Sequence, residues 1–311
     1  MKKVFITGGA GFLGSKLTEK FLLEGHKVKV YDNLQFGDDG YKPFIGNPNY
    51  ELVLGDVKDY KKMQNESEDS EIIIHLAAYV GETICKENIN FVNEVNTESA
   101  IKMAEFSEMN SKQFLFMSTC SNYGKSDKIV DEISELNPSG LYSTSKINAE
   151  KIILENFSSS LIFRCATLFG VSHRMRVDLT INQLIYEMLR DNIVTVYGEN
   201  AWRPYLHVLD AVNMIYLGLE KKLKGVYNLG NDDLNFTKKE IINKLLKNKS
   251  FTVKPIVWDD PRDYKVDFSK IKSVIDYEIT FDLESGINEL YSYMSSDEFK
   301  NKQNIKNNKF V

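Results

Sequence analysis

The stretch Thr7-Gly8-Gly9-Ala10-Gly11-Phe12-Leu13-Gly14 limits this chain to a small set of folds. An apolar run at residues 4–6 precedes it and an amphipathic segment over residues 12–23 follows, so the order is strand, tight turn, helix. Gly8 permits the turn, Gly11 lets backbone N–H groups approach a ligand, and Gly14 lets the helix pack close to the sheet. Unpaired N–H donors and the positive end of the helix dipole then face an anion, and a pyrophosphate is the natural occupant. The spacing is G-x-x-G-x-x-G rather than G-x-G-x-x-G. A glycine loop with only a structural task is the alternative, and the residues downstream decide between the two.

A second parallel strand is expected over residues 27–31, ending at Asp32-Asn33. A carboxylate there accepts both hydroxyls of an adenosine ribose and repels a 2′-phosphate, which points to NAD over NADP; a plain strand-ending turn is the alternative. Residues 34–49 are polar and read as a loop. A third strand over residues 50–54 runs into Gly55-Asp56-Val57, where Asp56 meets the adenine amino group or caps a helix over residues 58–65. Residues 71–78 form a buried strand ending in Leu76-Ala77-Ala78, small enough for a ribose to lie against the backbone. Residues 79–90, beginning with Tyr79, read as a substrate-side loop, and residues 91–109 as a helix in which Asn96 either bridges to the catalytic group or is solvated. The cofactor-binding candidates are therefore Gly8, Gly11, Phe12, Leu13, Asp32 and Asn33, then Asp56, Val57, Leu76, Ala77 and Ala78, joined further on by Ser118, Tyr142 and Lys146.

At 311 residues and 42% hydrophobic content the chain can fill a large core. A formal net charge of -5 leaves no basic excess for a nucleic-acid backbone. Met1-Lys2-Lys3 runs into a strand rather than an apolar leader, and no long apolar run suggests a membrane span, so a cytosolic protein without a membrane partner is expected. Cys85, Cys120 and Cys165 are scattered and read as free thiols, and the four histidines are equally dispersed, so no metal site is expected.

The chemistry is carried further on. A strand from residue 113 delivers Ser118-Thr119-Cys120-Ser121 at its carboxyl end, and residues 138–146 open a helix running to about residue 157. Tyr142 and Lys146, one turn apart, share a face of that helix. Hydride removal from a secondary alcohol requires loss of the hydroxyl proton, and a phenol with pKa near 10 is a poor base at neutral pH. Lys146, beside an oxidised nicotinamide, favours the tyrosinate and can hydrogen-bond the nicotinamide ribose. Thr119 holds the substrate oxygen next to the Tyr142 oxygen, and Ser118 sits beside the carboxamide. The catalytic candidates are Thr119, Tyr142 and Lys146. An exposed tyrosine and lysine on a helix is the bland alternative, which the ordered set of upstream signals argues against.

Together, residues 7–14, Asp32-Asn33, Gly55-Asp56-Val57, His75-Leu76-Ala77-Ala78, Ser118-Thr119 with Tyr123-Gly124, and Tyr142-x-x-x-Lys146 resemble the extended short-chain dehydrogenase/reductases. More narrowly they resemble the NAD-dependent epimerase/dehydratase branch that acts on nucleotide-sugars. Trp202-Arg203-Pro204-Tyr205-Leu206-His207-Val208-Leu209-Asp210 and Asp260-Pro261-Arg262-Asp263 extend the resemblance to about residue 290. It implies an α/β, Rossmann-like doubly wound parallel sheet over residues 1–169. A smaller C-terminal substrate-binding lobe over residues 170–296, with segments returning to the first, would be followed by a loose tail over residues 297–311. It implies NAD as cofactor, a homodimer through the helices of residues 97–109 and 142–157, and Arg203 and Arg262 at the substrate diphosphate or ribose. Surface salt bridges are the alternative for both arginines.

Two departures narrow the activity. The family's 4,6-dehydratases follow the threonine with Asp-Glu, whereas this chain has Cys120-Ser121, which disfavours dehydration and leaves oxidation at C4 with or without return of the hydride. The 4-epimerases commonly carry Arg-x-Phe-Asn, and Arg164-Cys165-Ala166-Thr167 lacks the asparagine. The Ser-Thr-Cys-Ser strand end and the Arg174-Met175-Arg176 loop resemble bacterial GDP-heptose 4-dehydrogenases of capsule biosynthesis, which implies a GDP-linked sugar near Tyr79, Cys120, Ser121, Arg174, Arg176, Arg203 and Arg262. A solvated loop is the alternative for residues 172–178. A 4-epimerase is the rival within the enzyme class, and a catalytically silent NAD(H)-binding sensor or scaffold the rival outside it.

Overall fold

The computed structural model describes residues 1–301. Seven strands form one sheet in the order Gly225–Leu229, Leu161–Cys165, Gln113–Thr119, Ile72–His75, Lys3–Thr7, Lys27–Asp32, Tyr50–Leu54, and every pairing is parallel. The chain enters at the centre, lays two strands to one side, then crosses back and builds outward on the other. That reversal opens a crevice beyond the carboxyl ends of Lys3–Thr7 and Ile72–His75, where Thr7 and His75 are in register. Both faces of the sheet are covered, so its central strands are apolar almost throughout. Val4, Ile6, Ile72 and Ile74 feed one core, and Phe5, Ile73 and Phe114 the other.

The doubly wound α/β class is as expected, with local differences. The predicted loop at residues 79–90 contains a helix, Glu82–Glu87, entered through Gly81 at φ 97°. The predicted helix at residues 91–109 is interrupted by a π-helical turn, Glu94–Glu98, before the regular helix Ser99–Met109. This turn carries Asn96 into the core at 0% exposure, which excludes the solvated alternative.

Three small sheets accompany the large one, built from the chain after residue 165 together with the earlier strand Lys125–Val130. Thr167–Phe169, Trp202–His207 and Asn235–Thr237 form one, Ile193–Tyr197 with Thr252–Ile256 a second, and Lys125–Val130 with Asp263–Val266 a third. Gly225–Leu229 returns to the large sheet as its outer strand. The first residues of the expected loose tail are ordered. Asp297–Lys300 is a short helix capped by Ser296, and Phe299 is buried with edge-on contacts to Tyr186 and Tyr293. The remainder of that expected tail, residues 302–311, lies outside the described residues. No helix among the described residues is long and apolar enough to cross a membrane.

Candidate active site

A cleft of about 390 Å³ lies at the crevice where the strand order reverses, running from the glycine turn across the sheet to the Arg262 segment. At one end, Gly8 adopts φ +70°, and a Cβ on it would stand 2.8 Å from the Ala77 backbone nitrogen. A Cβ on Gly14 would stand 2.2 Å from the Gly8 carbonyl oxygen. Glycine at both positions is thus a steric requirement that brings bare backbone to the cleft wall. Gly11, Phe12 and Leu13 line the same wall, and helix Phe12–Leu23 starts without a side-chain cap, leaving its first N–H groups for a ligand.

Asp32 is a turn residue that also faces the cleft. Its carboxylate accepts from Ala10 N at 3.0 Å and Leu34 N at 2.9 Å, tying the glycine turn to the second strand, and it also lines the cleft beside Asn33. Burial raises its pKa, opposed by those backbone hydrogen bonds. Asp56 accepts from Lys58 N at 2.9 Å and lines the cleft with Val57. It does not cap the next helix: Tyr60–Glu66 is capped by Asp59, which accepts from Lys62 N. Leu76, Ala77 and Ala78 complete this end. They are held by a polar chain in which Thr7 Oγ1 lies 3.0 Å from His75 Nδ1 and accepts from Ala77 N at 3.3 Å, while His75 Nε2 lies 3.0 Å from Ser99 Oγ. Complete burial pulls the His75 pKa down to about 3, helped by Lys146, so the ring stays neutral.

At the middle of the cleft Tyr142 and Thr119 both form the wall, and the Thr119 hydroxyl favours the ionised form of the Tyr142 phenol. Thr119 Oγ1 accepts from Ser121 N at 3.1 Å, which leaves its proton free to donate toward the Tyr142 oxygen. Burial raises the Tyr142 pKa well above the ordinary phenol value, with Cys85 and Cys165 adding to the rise and Arg176 and Thr119 opposing it. Lys146 does not line the open cleft; it is 2% exposed behind Tyr142, its Nζ 4.5 Å from the centre of the Phe116 ring. Burial pulls its pKa down to about 7 against the pull of Cys85 and Glu150.

Three expectations for side chains change here. Ser118 contributes to the cleft wall, but its hydroxyl donates to Glu150 and accepts from Asn122 at 3.2 Å, so it is committed away from a carboxamide. Cys120 is 1% exposed and outside the cleft, its thiol donating to the Arg164 carbonyl at 3.1 Å; burial pushes its pKa well up. Ser121 alone of that pair reaches the cleft. Arg174 borders the cleft yet spends its guanidinium on the Phe36 carbonyl, at 2.9 and 2.7 Å, and on the Met175 carbonyl, so it fastens the loop after the second strand. Arg176 is paired with Asp178 at 2.6 Å, both lining the cleft, so residues 172–178 are not a solvated loop.

At the far end Arg203, Lys238 and Arg262 converge on Asp260, at 2.8, 3.5 and 3.3 Å. All three cations line the cleft, and Arg203 Nε is a buried donor without a partner. Burial alone would raise the Asp260 pKa, but Arg203, Arg262 and Lys238 more than offset it and hold it low. Three cations on one carboxylate leave net positive charge at a partly desolvated wall, suited to a diphosphate. Neither arginine is a simple surface pair.

Several residues escaped the sequence-based search. Lys238 carries no signal, since it opens a lysine-rich helix. Asp260 sits in a recognised motif, but its pairing with Arg203 spans 57 positions. Tyr79, a cleft residue as expected, is gripped by Asn96, which accepts from its N–H at 2.7 Å and donates to its carbonyl at 3.0 Å and to Ser145 Oγ at 3.0 Å. Among the described residues no group of three or more His, Cys, Asp or Glu is placed to hold a metal ion, and all three cysteines are buried and unpaired.

The model of the NAD dependent epimerase/dehydratase family matches residues 4–230. UDP-glucuronic acid decarboxylase 1 of Danio rerio is 26% identical over 313 residues, covering 95% of this chain and 73% of that protein. UDP-glucuronic acid decarboxylase 6 of Arabidopsis thaliana is 29% identical over 306 residues, covering 92% and 86%. Among solved structures, UDP-glucuronic acid 4-epimerase from Bacillus cereus, in complex with UDP-glucuronic acid and NAD, superimposes with a TM-score of 0.84 at 25% identity, covering 94% of this chain and 98% of that one. The dTDP-glucose 4,6-dehydratase from Bacillus anthracis, in complex with NAD, shares the fold with a TM-score of 0.83 at 24% identity, covering 96% and 98%. With the glycine turn, the Asp32 strand end and the Tyr142 helix assembled around one cleft, the chain belongs to the NAD dependent epimerase/dehydratase family of nucleotide-sugar enzymes.

Proposed function

We propose that this protein oxidises the C4 hydroxyl of a nucleoside-diphosphate sugar to a 4-keto sugar in the cytosol, with Tyr142 as base, Lys146 as its electrostatic partner and Thr119 as the positioning hydroxyl. The observation that carries this reading is that Thr119 and Tyr142 line the same cleft, with Lys146 buried one turn along the Tyr142 helix. The bare backbone around Gly8 and Gly11 and the carboxylate of Asp32 suit the pyrophosphate and adenosine ribose of NAD. NAD, when bound, supplies the hydride acceptor.

Tyr142 takes the proton of the C4 hydroxyl while Thr119, its own oxygen occupied by Ser121 N–H, donates to the reacting oxygen. A protonated Lys146 lowers the cost of the phenolate, and Glu150 and Cys85 favour its protonation against burial. Arg203, Lys238 and Arg262 take the substrate diphosphate. The acidic residues lining the cleft are Asp32 and Asp56 at the glycine end and Asp178, already paired with Arg176. With Cys120 turned into the core, no acid and base among the described residues line the cleft beside Thr119 to eliminate water, which supports oxidation over dehydration. The resemblance at residues 118–121 and 174–176 extends the proposal to a GDP-linked heptose, with the UDP-sugars of the relatives as competing substrates. Exposed Met109, Ile152 and Leu154 on helices Ser99–Met109 and Leu141–Asn156 suit a homodimer packed through those helices.

The test is a panel of GDP-, UDP- and dTDP-sugars with NAD, reading NADH absorbance and product mass. The expected product is a keto sugar lighter by two hydrogens with NADH formed. An isomer of unchanged mass without lasting NADH would mean epimerisation instead. Tyr142→Phe is expected to retain NADH binding and lose about 10²–10⁴-fold in kcat, the range for general acid–base groups; a fully active variant would refute the assignment of the base.

A further inference from the structure

The helix that carries Tyr142 and Lys146, Leu141–Asn156, has no cap of its own: its N-cap residue is Gly140, which has no side chain to offer. The cap comes from another segment. The Glu82 carboxylate accepts from Leu141 N at 2.9 Å through one oxygen and from Tyr142 N at 3.0 Å through the other. The absence of a side chain at position 140 makes room for it, since a Cβ on Gly140 would stand 2.2 Å from the Glu82 carboxyl carbon and 2.3 and 2.4 Å from its oxygens. Gly140 has φ −178°, an extended conformation open to any residue, so the need for glycine there comes from the carboxylate and not from the backbone.

Glu82 stands directly after residues 79–81, which line the cleft, and Asn96 grips Tyr79 at both backbone groups while bonding Ser145 on the same helix. The cleft wall is thus stitched to the first turn of the Tyr142 helix at two places, Glu82 to residues 141 and 142 and Asn96 to Ser145. We propose that Glu82 is a positioning residue for the reaction: by holding the N–H groups of Leu141 and Tyr142 it sets the Tyr142 hydroxyl against Thr119 and ties that setting to the substrate wall at residues 79–81. The proposal rests on the assignment of Tyr142 as base. A backbone N–H at a helix start is usually satisfied by a local Ser, Thr, Asp or Asn, or by water, with little consequence for distant side chains. Here the bonded N–H belongs to the catalytic tyrosine itself, so a shift of the carboxylate moves the phenol.

Three variants and three readouts test this. Glu82→Ala removes the cap, Glu82→Gln keeps one acceptor oxygen at nearly the same volume, and Gly140→Ala leaves Glu82 in place but drives its carboxylate from the N–H groups. Each is compared with the unaltered protein for kcat and KM on whichever nucleotide-sugar the panel identifies, for amide hydrogen exchange across residues 138–146, and for NADH affinity by fluorescence as a check on folding. The expected result is a fall in kcat of about 10- to 100-fold for Glu82→Ala and Gly140→Ala, as a displacement near 1 Å produces. KM and NADH affinity should stay within about threefold, exchange at Leu141 and Tyr142 should quicken, and Glu82→Gln should recover part of the loss. If Glu82→Ala does not fold, the other two variants decide by the same readouts. Unchanged kcat, or a loss confined to KM, with amide protection retained would overturn the role of Glu82. Full activity in Tyr142→Phe would instead overturn the base assignment, whatever the Glu82 variants do.

Discussion

Glu150, two turns along the helix from Tyr142, makes the strongest stability prediction. Its carboxylate is 2% exposed and takes hydrogen bonds from Ser118 Oγ, from Asn122 Nδ2 at 2.7 Å, and from Arg164 Nε and Nη2 at 2.9 and 2.8 Å. Arg164 is 4% exposed, and among the described residues it keeps, without Glu150, the hydrogen bonds to the Tyr123 hydroxyl at 3.1 Å and the Glu132 carbonyl at 3.2 Å. Glu150→Leu therefore leaves a buried guanidinium without a counter-charge, which costs about 3–5 kcal/mol. An unfolding entropy of about 2.1 cal/mol/K per residue is about 0.65 kcal/mol/K for a chain of this length, so Tm should fall by about 5–8 °C. The double variant Glu150→Leu with Arg164→Met removes both charges, while Asn122 still bonds Ser118 and Tyr123 still donates to Asn228 at 2.6 Å. It should recover most of the loss, because a well-packed apolar pair replaces a buried ion pair at little net cost. Thermal and urea unfolding of the single and double variants at pH 7 provide the assay. A single-variant loss below about 1 kcal/mol, or a double variant no more stable than Glu150→Leu, would refute the view that the cost lies in the orphaned charge.

Two further outcomes follow from a buried neutral imidazole and from the cations of the cleft. His75 has its pKa held near 3 against an ordinary 6.5, so the unfolded chain binds the extra proton between those values and stability rises with pH there. Acidification from pH 6.5 should erode stability with a slope approaching about 1.4 kcal/mol per pH unit, and His75→Gln should flatten the pH 5–6.5 part of that profile in urea melts. At the cationic end of the cleft, Lys238→Ala and Arg262→Ala should each raise KM for the nucleotide-sugar by about tenfold with kcat nearly unchanged, since these groups bind away from the reacting carbon. Steady-state kinetics on the substrate found in the panel check both.

The elements of the large sheet were legible because their signals are local. Alternate residues of Val4, Phe5 and Ile6 go to opposite cores, and the glycines at 8 and 14 answer to contacts of the turn with itself and with the adjacent strand end. Tyr142 and Lys146 are one helical turn apart, so their shared face follows from helix geometry alone. The misjudged side chains are those whose partners lie far along the chain. Ser118 turns from the cleft toward Glu150, Cys120 toward Arg164, and Arg174 toward Phe36, across separations of 32, 44 and 138 positions. The break in the helix after residue 91 was likewise hidden, because the π-turn is held by contacts of Asn96 with Tyr79 and Ser145 and not by its own composition.

By itself the sequence determined the parallel α/β architecture, the glycine turn that suits a dinucleotide and the Thr119, Tyr142 and Lys146 set, since each depends on spacing within one or two elements. Only the tertiary structure decided which hydroxyls and cations face the cleft, that Asp260 gathers Arg203, Lys238 and Arg262, and that Glu82 caps the Tyr142 helix from 60 positions away. Those pairings are made by crossover connections that bring distant strand ends and helix starts to one edge of the sheet. A buried charge then takes whatever partner that edge supplies, because leaving it unpaired costs several kcal/mol.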